Sequence, residues 1–192
     1  VGIHAEEGVP AVQLVFTQLH AGGKFEKESG GAYSFAGGLH GVGVSVTNAL
    51  STRLEVTVWR EGQEHSIIFS AGDVIEPLTS GKSPFPKRQT GTRVRAWPDG
   101  KYFDSANIPV EQLTRLLRSK AVLMPGCEVT LTNEKNNTTQ TWKFEGGLRE
   151  YLTSLLTAEP LIPPFESQGY AEDDSMGFAV GEGASWVVVW QE

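Results

Sequence analysis

Cysteine is almost missing. Cys127 is the only one in 192 residues, so no disulfide can form within the chain, a disulfide-stapled secreted scaffold is excluded, and a reducing, cytoplasmic setting is expected. Long apolar runs are missing too: none approaches the ~18 residues that cross a bilayer as a helix. The apolar stretch at 186–190 is far too short, and no membrane partner is expected. Basic charge is in short supply, with 16 Lys and Arg against 23 Asp and Glu and a formal net charge of -7. That balance argues against a domain whose main work is gripping nucleic acid non-specifically. Internal repeats and low-complexity tracts are lacking. No methionine or signal peptide precedes Val1, and Glu192 comes straight after a strand pattern, so a segment of a longer protein is expected.

Glycine, by contrast, is abundant and unevenly placed. Residues 21–43 hold eight glycines among 23 positions, a long pliable loop of the kind that serves as a lid or a binding loop. An amphipathic helix over residues 10–20 precedes it, with Val12, Val15, Phe16 and Leu19 at helical spacing, and a short helix over 44–50 follows. Residues 53–60 and 63–70 read as strands joined at Glu61-Gly62, a hairpin signal. Alternation puts Leu54, Val56, Val58 and Arg60 on one side, and an arginine ending a core-facing row wants an anion or a carboxylate. Residues 72–90, carrying Pro77, Pro84 and Pro86, read as a loop. A strand over 90–97 places Thr92, Val94 and Ala96 on one face. Further on come a helix over 109–123, strands over 127–133 and 139–145, and a helix over 147–156. The sum is α+β, a two-layer sandwich with helices on one face of a mostly antiparallel mixed sheet. Three prolines between 160 and 164 and the acidic run at 172–174 mark 159–183 as a linker, so that 184–192 is the first strand of a second domain.

A glycine loop running into a helix suits a phosphate, because bare backbone lets N–H groups approach an anion and the helix start adds partial positive charge. Two common motifs fail. A P-loop needs Ser or Thr after Gly23-Lys24, where Phe25 stands, and its first glycine falls on Gln18. A dinucleotide fingerprint from Gly41-Val42-Gly43 needs a small residue where Val46 stands and a parallel β-α-β unit that does not precede it. What remains is Gly37-Gly38-Leu39-His40-Gly41-Val42-Gly43 opening the helix Val44-Ser45-Val46-Thr47-Asn48-Ala49-Leu50, with Ala21-Gly22-Gly23-Lys24-Phe25 at the other end of the loop.

These two halves closely resemble the ATP lid of the B subunits of bacterial type II topoisomerases, DNA gyrase and topoisomerase IV. Those proteins belong to the superfamily that also holds the heat-shock chaperone, histidine kinases and MutL. The resemblance extends to His4-Ala5-Glu6-Glu7-Gly8-Val9-Pro10-Ala11, to Gln89-Thr90-Gly91-Thr92 with Trp97-Pro98-Asp99, to Lys120-Ala121-Val122-Leu123-Met124-Pro125-Gly126, and to Asn136-Asn137-Thr138. The last two, together with Gly147-Leu148 and Tyr151-Leu152, lean toward topoisomerase IV over gyrase.

The resemblance implies a Bergerat-type ATP-binding fold incomplete at its N-terminus, with residues 1–158 as the ATP-binding domain and 184–192 as the first strand of a transducer. It implies that the backbone amides of Gly38, Leu39, His40, Gly41, Val42, Gly43 and Val44 wrap the triphosphate and that Lys24 and Tyr33 lie in the lid. Thr92 would project into the adenine pocket, and Arg60 would stand at its rim, where ATP-competitive inhibitors bind. ATP and Mg2+ are the implied cofactors; the implied partners are the topoisomerase A subunit, DNA through other domains, and a second copy of the B subunit that pairs on ATP binding. The family's water-activating glutamate, its magnesium-holding asparagine and its adenine-reading aspartate match positions before residue 1, and the lysine reaching the γ-phosphate matches positions beyond 192. No catalytic or metal residue is therefore assigned. Two alternatives remain open: a nucleotide-binding module without turnover in this form, or a chaperone or histidine-kinase type ATPase. A strip of Lys82, Lys87, Arg88, Arg93, Arg95 and Lys101 around Asp99 could touch DNA, but a solvated face is the preferred reading.

Overall fold

The computed structural model describes residues 1–21, 41–105, 107–172 and 183–191. The chain divides into two compact units, Val1–Ala106 and Asn107–Glu192.

In the first unit, the alternating β-branched run after residue 50 forms β1 (Ser51–Arg60), followed by β2 (Gln63–Ser70), β3 (Asp73–Lys82) and β4 (Gly91–Pro98). They make one antiparallel sheet in the order β3-β2-β1-β4. Glu61 and Gly62 both have positive φ, 56° and 78°, the geometry that lets a two-residue loop match the twist of its strands. Register then places Leu54 opposite Phe69 and Val56 opposite Ile67. All four are buried. Helix α1 (Ala11–Thr17) lays Phe16 on this row, its ring stacked on Phe69 with centroids 5.7 Å apart. A second helix, α2 (Gly43–Ala49), leads directly into β1.

In the second unit, α3 (Val110–Leu123) and α4 (Gly147–Ser154) accompany two hairpins, β5 (Val129–Asn133) with β6 (Thr138–Trp142), and β7 (Phe165–Tyr170) with β8 (Gly183–Val188). Ala121 and Val122 are buried, Phe144 meets Tyr151 edge-on at 5.6 Å, and Arg149 bonds Glu166 at 2.7 Å. The α+β class with antiparallel sheets is as read from sequence.

Three elements differ from that reading. Helix α1 stops at Thr17 instead of reaching residue 20, because Gln18 is already extended and His20 takes a left-handed φ of 62°. Residues 73–82 are a strand although Pro77 lies within it. β3 is an edge strand, and its register against β2 slips on both sides of Ile68, leaving bulges in which Pro77 costs no ladder hydrogen bond. Within the stretch read as a linker, residues 165–170 form β7. Their mixed polar pattern hides a strand that becomes evident only through its partner, where Phe165 meets Trp186 at 5.3 Å.

Candidate nucleotide-binding site

The glycine segment enters the described residues at Gly41, whose φ of 59° is open to glycine at no steric cost. Its carbonyl accepts the His20 N–H at 3.1 Å, so the chain on the two sides of residues 22–40 is tied at that point. Val42 caps α2: its carbonyl accepts the Val46 N–H at 2.9 Å and the Ser45 hydroxyl at 3.1 Å. The amides of Gly43, Val44 and Ser45 precede this first helical bond and have no acceptor inside the helix. Gly43 and Val44 are not buried, and a Cβ built on Gly43 would meet nothing within 4 Å. A phosphate could approach this backbone closely.

Thr92 lies opposite Val58, with Val94 opposite Val56 and Ala96 opposite Leu54. Directly opposed residues share a face, so Thr92 continues the core-facing row onto β4, as alternation implied. Yet β4 is, among the described residues, the sheet's other edge strand, and Val94 remains 48% exposed. Val44 is 42% exposed. Apolar and hydroxyl side chains with open space before them could receive a flat, partly apolar ring.

Arg60 ends β1 beside the turn and stands two positions from the residue opposite Thr92. Its side chain is 61% exposed, and its Nε donates to Glu61 at 3.1 Å. The carboxylate partner that its row position demanded is thus the neighbouring turn residue. Lys24, Tyr33, Gly38, Leu39 and His40 lie outside the described residues.

Half of the basic strip, Arg93, Arg95 and Lys101, is engaged within the fold. Arg95 bonds Glu55 at 3.3 Å and stacks over Trp97, Arg93 stacks over Trp59, and Lys101 pairs with Asp99 at 3.0 Å. The hydrogen bond from Arg53 Nε, at 2.7 Å, holds the Glu55 carboxyl below its usual range; burial opposes it, and the charges of Arg53, Arg95 and Arg93 each add a lesser attraction. Asp99 is lowered by the Lys101 backbone N–H and then by its ammonium. Among the described residues no group of His, Cys, Asp or Glu could hold a metal ion, and no helix is long and apolar enough to cross a membrane. A cleft of about 590 Å³ lies within the second unit between Val122, Arg149, Glu166 and Trp186 and includes none of the residues proposed from sequence.

Sequence reasoning missed Asn48. It is fully buried in α2, and its Nδ2 donates to the Phe16 carbonyl at 3.0 Å and the Gly72 carbonyl at 3.1 Å. An asparagine inside a helix, three positions from another polar residue on the same face, was the available signal.

These features define an α+β domain whose glycine-rich segment opens a helix beside an antiparallel sheet. No family model matches the chain. The B subunit of DNA topoisomerase 4 from Escherichia coli (strain K12) is 45% identical over 194 residues, covering 99% of this chain and 29% of that protein. A topoisomerase IV ATP-binding domain from Francisella tularensis, solved with a small-molecule inhibitor, is 37% identical with a TM-score of 0.68 over 91% of this chain and 44% of that one. The 43K ATPase domain of Thermus thermophilus gyrase B, solved with an aminocoumarin, is 32% identical with a TM-score of 0.70 over 89% of this chain and 42% of that one. Over nearly its whole length the chain is thus homologous to part of the B subunits of type II topoisomerases, topoisomerase IV among them. It spans under a third of the length of the curated relatives it matches.

Proposed function

We propose that this chain is the ATP-binding part of the B subunit of a cytoplasmic type II topoisomerase, acting in DNA relaxation and decatenation. The observation that carries the reading is the likeness, over 91% of the chain, to a topoisomerase IV ATP-binding domain. In this reading the amides from Gly38 through Leu39, His40, Gly41, Val42 and Gly43 to Val44 take the triphosphate, and what supports it is the positive φ of Gly41 and the amides at the start of α2 that no acceptor within the helix reaches. Thr92 takes the adenine side, Arg60 the rim used by ATP-competitive inhibitors, and Lys24 and Tyr33 the lid. Mg2+ accompanies the nucleotide, and no residue of this chain is assigned to it. Ordering a glycine-rich segment by γ-phosphate contacts is a known form of switch; here it would drive pairing of two B subunits around DNA, with the topoisomerase A subunit as cleaving partner.

The test is titration calorimetry with a non-hydrolysable ATP analogue on the complete protein and on its Thr92→Val variant. Losing the hydroxyl from a partly buried hydrogen bond should weaken binding by about five- to fifty-fold. Equal affinity removes Thr92 from the site, and a wild type that binds no nucleotide overturns the reading.

A further inference from the structure

Three backbone segments meet at one buried side chain. α1 ends just before the glycine-rich stretch, and the carbonyl of Phe16 is among those that no amide within the helix can reach. The β2–β3 turn runs through Ala71 and Gly72, both with positive φ, and a Cβ on Gly72 would come within 3.7 Å of Ala49 Cα, so α2 rests directly on this turn. Asn48 donates to both segments with one amide nitrogen, at 3.0 and 3.1 Å. Its Oδ1 is buried with no hydrogen-bond partner among the described residues. Such a group is retained at a cost, and an apolar residue would fill the space without it. Its return is positional, because the helix it anchors begins at Gly43 and has only seven residues.

We propose that Asn48 is a positioning residue: by gripping the end of α1 and the β2–β3 turn together, it fixes the backbone of residues 41–44 over the sheet and thereby sets the affinity for nucleotide without touching it. This rests on the nucleotide reading above. The clamp holds both sides of the glycine-rich stretch at once, since the His20 N–H to Gly41 carbonyl bond closes the same base a few residues away.

ATP hydrolysis by the complete protein is compared for wild type, Asn48→Ala, the equal-volume Asn48→Asp and a core control, Leu54→Ala, with a thermal midpoint for each. Both Asn48 variants should raise KM for ATP about ten-fold with kcat within about two-fold, since displacement of a binding backbone acts on positioning. Leu54→Ala should lower the midpoint and keep the wild-type KM. An unchanged KM in the folded Asn48 variants, or an equal rise in Leu54→Ala, overturns the proposal; a wild type that neither binds nor hydrolyses ATP overturns the nucleotide reading instead. Hydrogen exchange on the wild type needs no variant. Amides of residues 16–18, 41–48 and 71–73 should gain protection together on adding an ATP analogue, and protection confined to 41–48 overturns the clamp.

Discussion

Glu55 receives Arg53 at 2.7 Å and Arg95 at 3.3 Å, one on its own strand and one across the β1–β4 ladder. Because its folded-state carboxyl is held below the ordinary value near 4.5, its contribution is fully present above that value and drains as pH falls through the lowered one. Stability of wild type and Glu55→Gln, followed by denaturant unfolding from pH 7 to pH 3, should therefore differ most at pH 7 and converge in acid. A constant difference across the range would mean that the ionised carboxylate is not what matters. At this scale the sequence was a partial guide. The parity that put Arg60 on the core-facing row was sound, but a row can run past its core: Val58 is only half-buried and Arg60 reaches solvent. Asn48 was invisible as a clamp because its acceptors are backbone carbonyls 32 and 24 residues away, which no local pattern reports.

The β1–β2 hairpin was legible because a two-residue turn and strict alternation point the same way. β3 was not, because Pro77 argues against a strand unless the strand is known to be at an edge, and that is a fact about the whole sheet. β7 stayed hidden for a similar reason, its partner lying beyond the acidic run. Register itself is testable. Ile67 is buried opposite Val56, while Ile68 lies on the other face opposite Glu55. Ile67→Ala should cost about 2–5 kcal/mol in urea unfolding, and Ile68→Ala less than half of that. A larger loss for Ile68→Ala than for Ile67→Ala would place the ladder one residue out, since a single slip exchanges the two faces.

At the scale of the whole molecule, family membership was legible in the glycine segment and its flanks, whereas two compact units were not expected to divide near residue 106. What the chain can do alone follows from chemistry rather than shape. Hydrolysing ATP requires a base to activate water and a ligand to hold Mg2+, and backbone amides with a threonine and an arginine supply neither. In the family resemblance both groups match positions outside residues 1–192, and the chain covers only 29% of its Escherichia coli relative. The isolated chain is therefore expected to show no ATP turnover in a coupled phosphate-release assay. The complete protein should hydrolyse ATP under the same conditions, and more slowly once an inhibitor competes for the nucleotide. Turnover by the isolated chain, abolished by substituting one of its own carboxylates, would place the base within these residues and overturn the proposed division of labour.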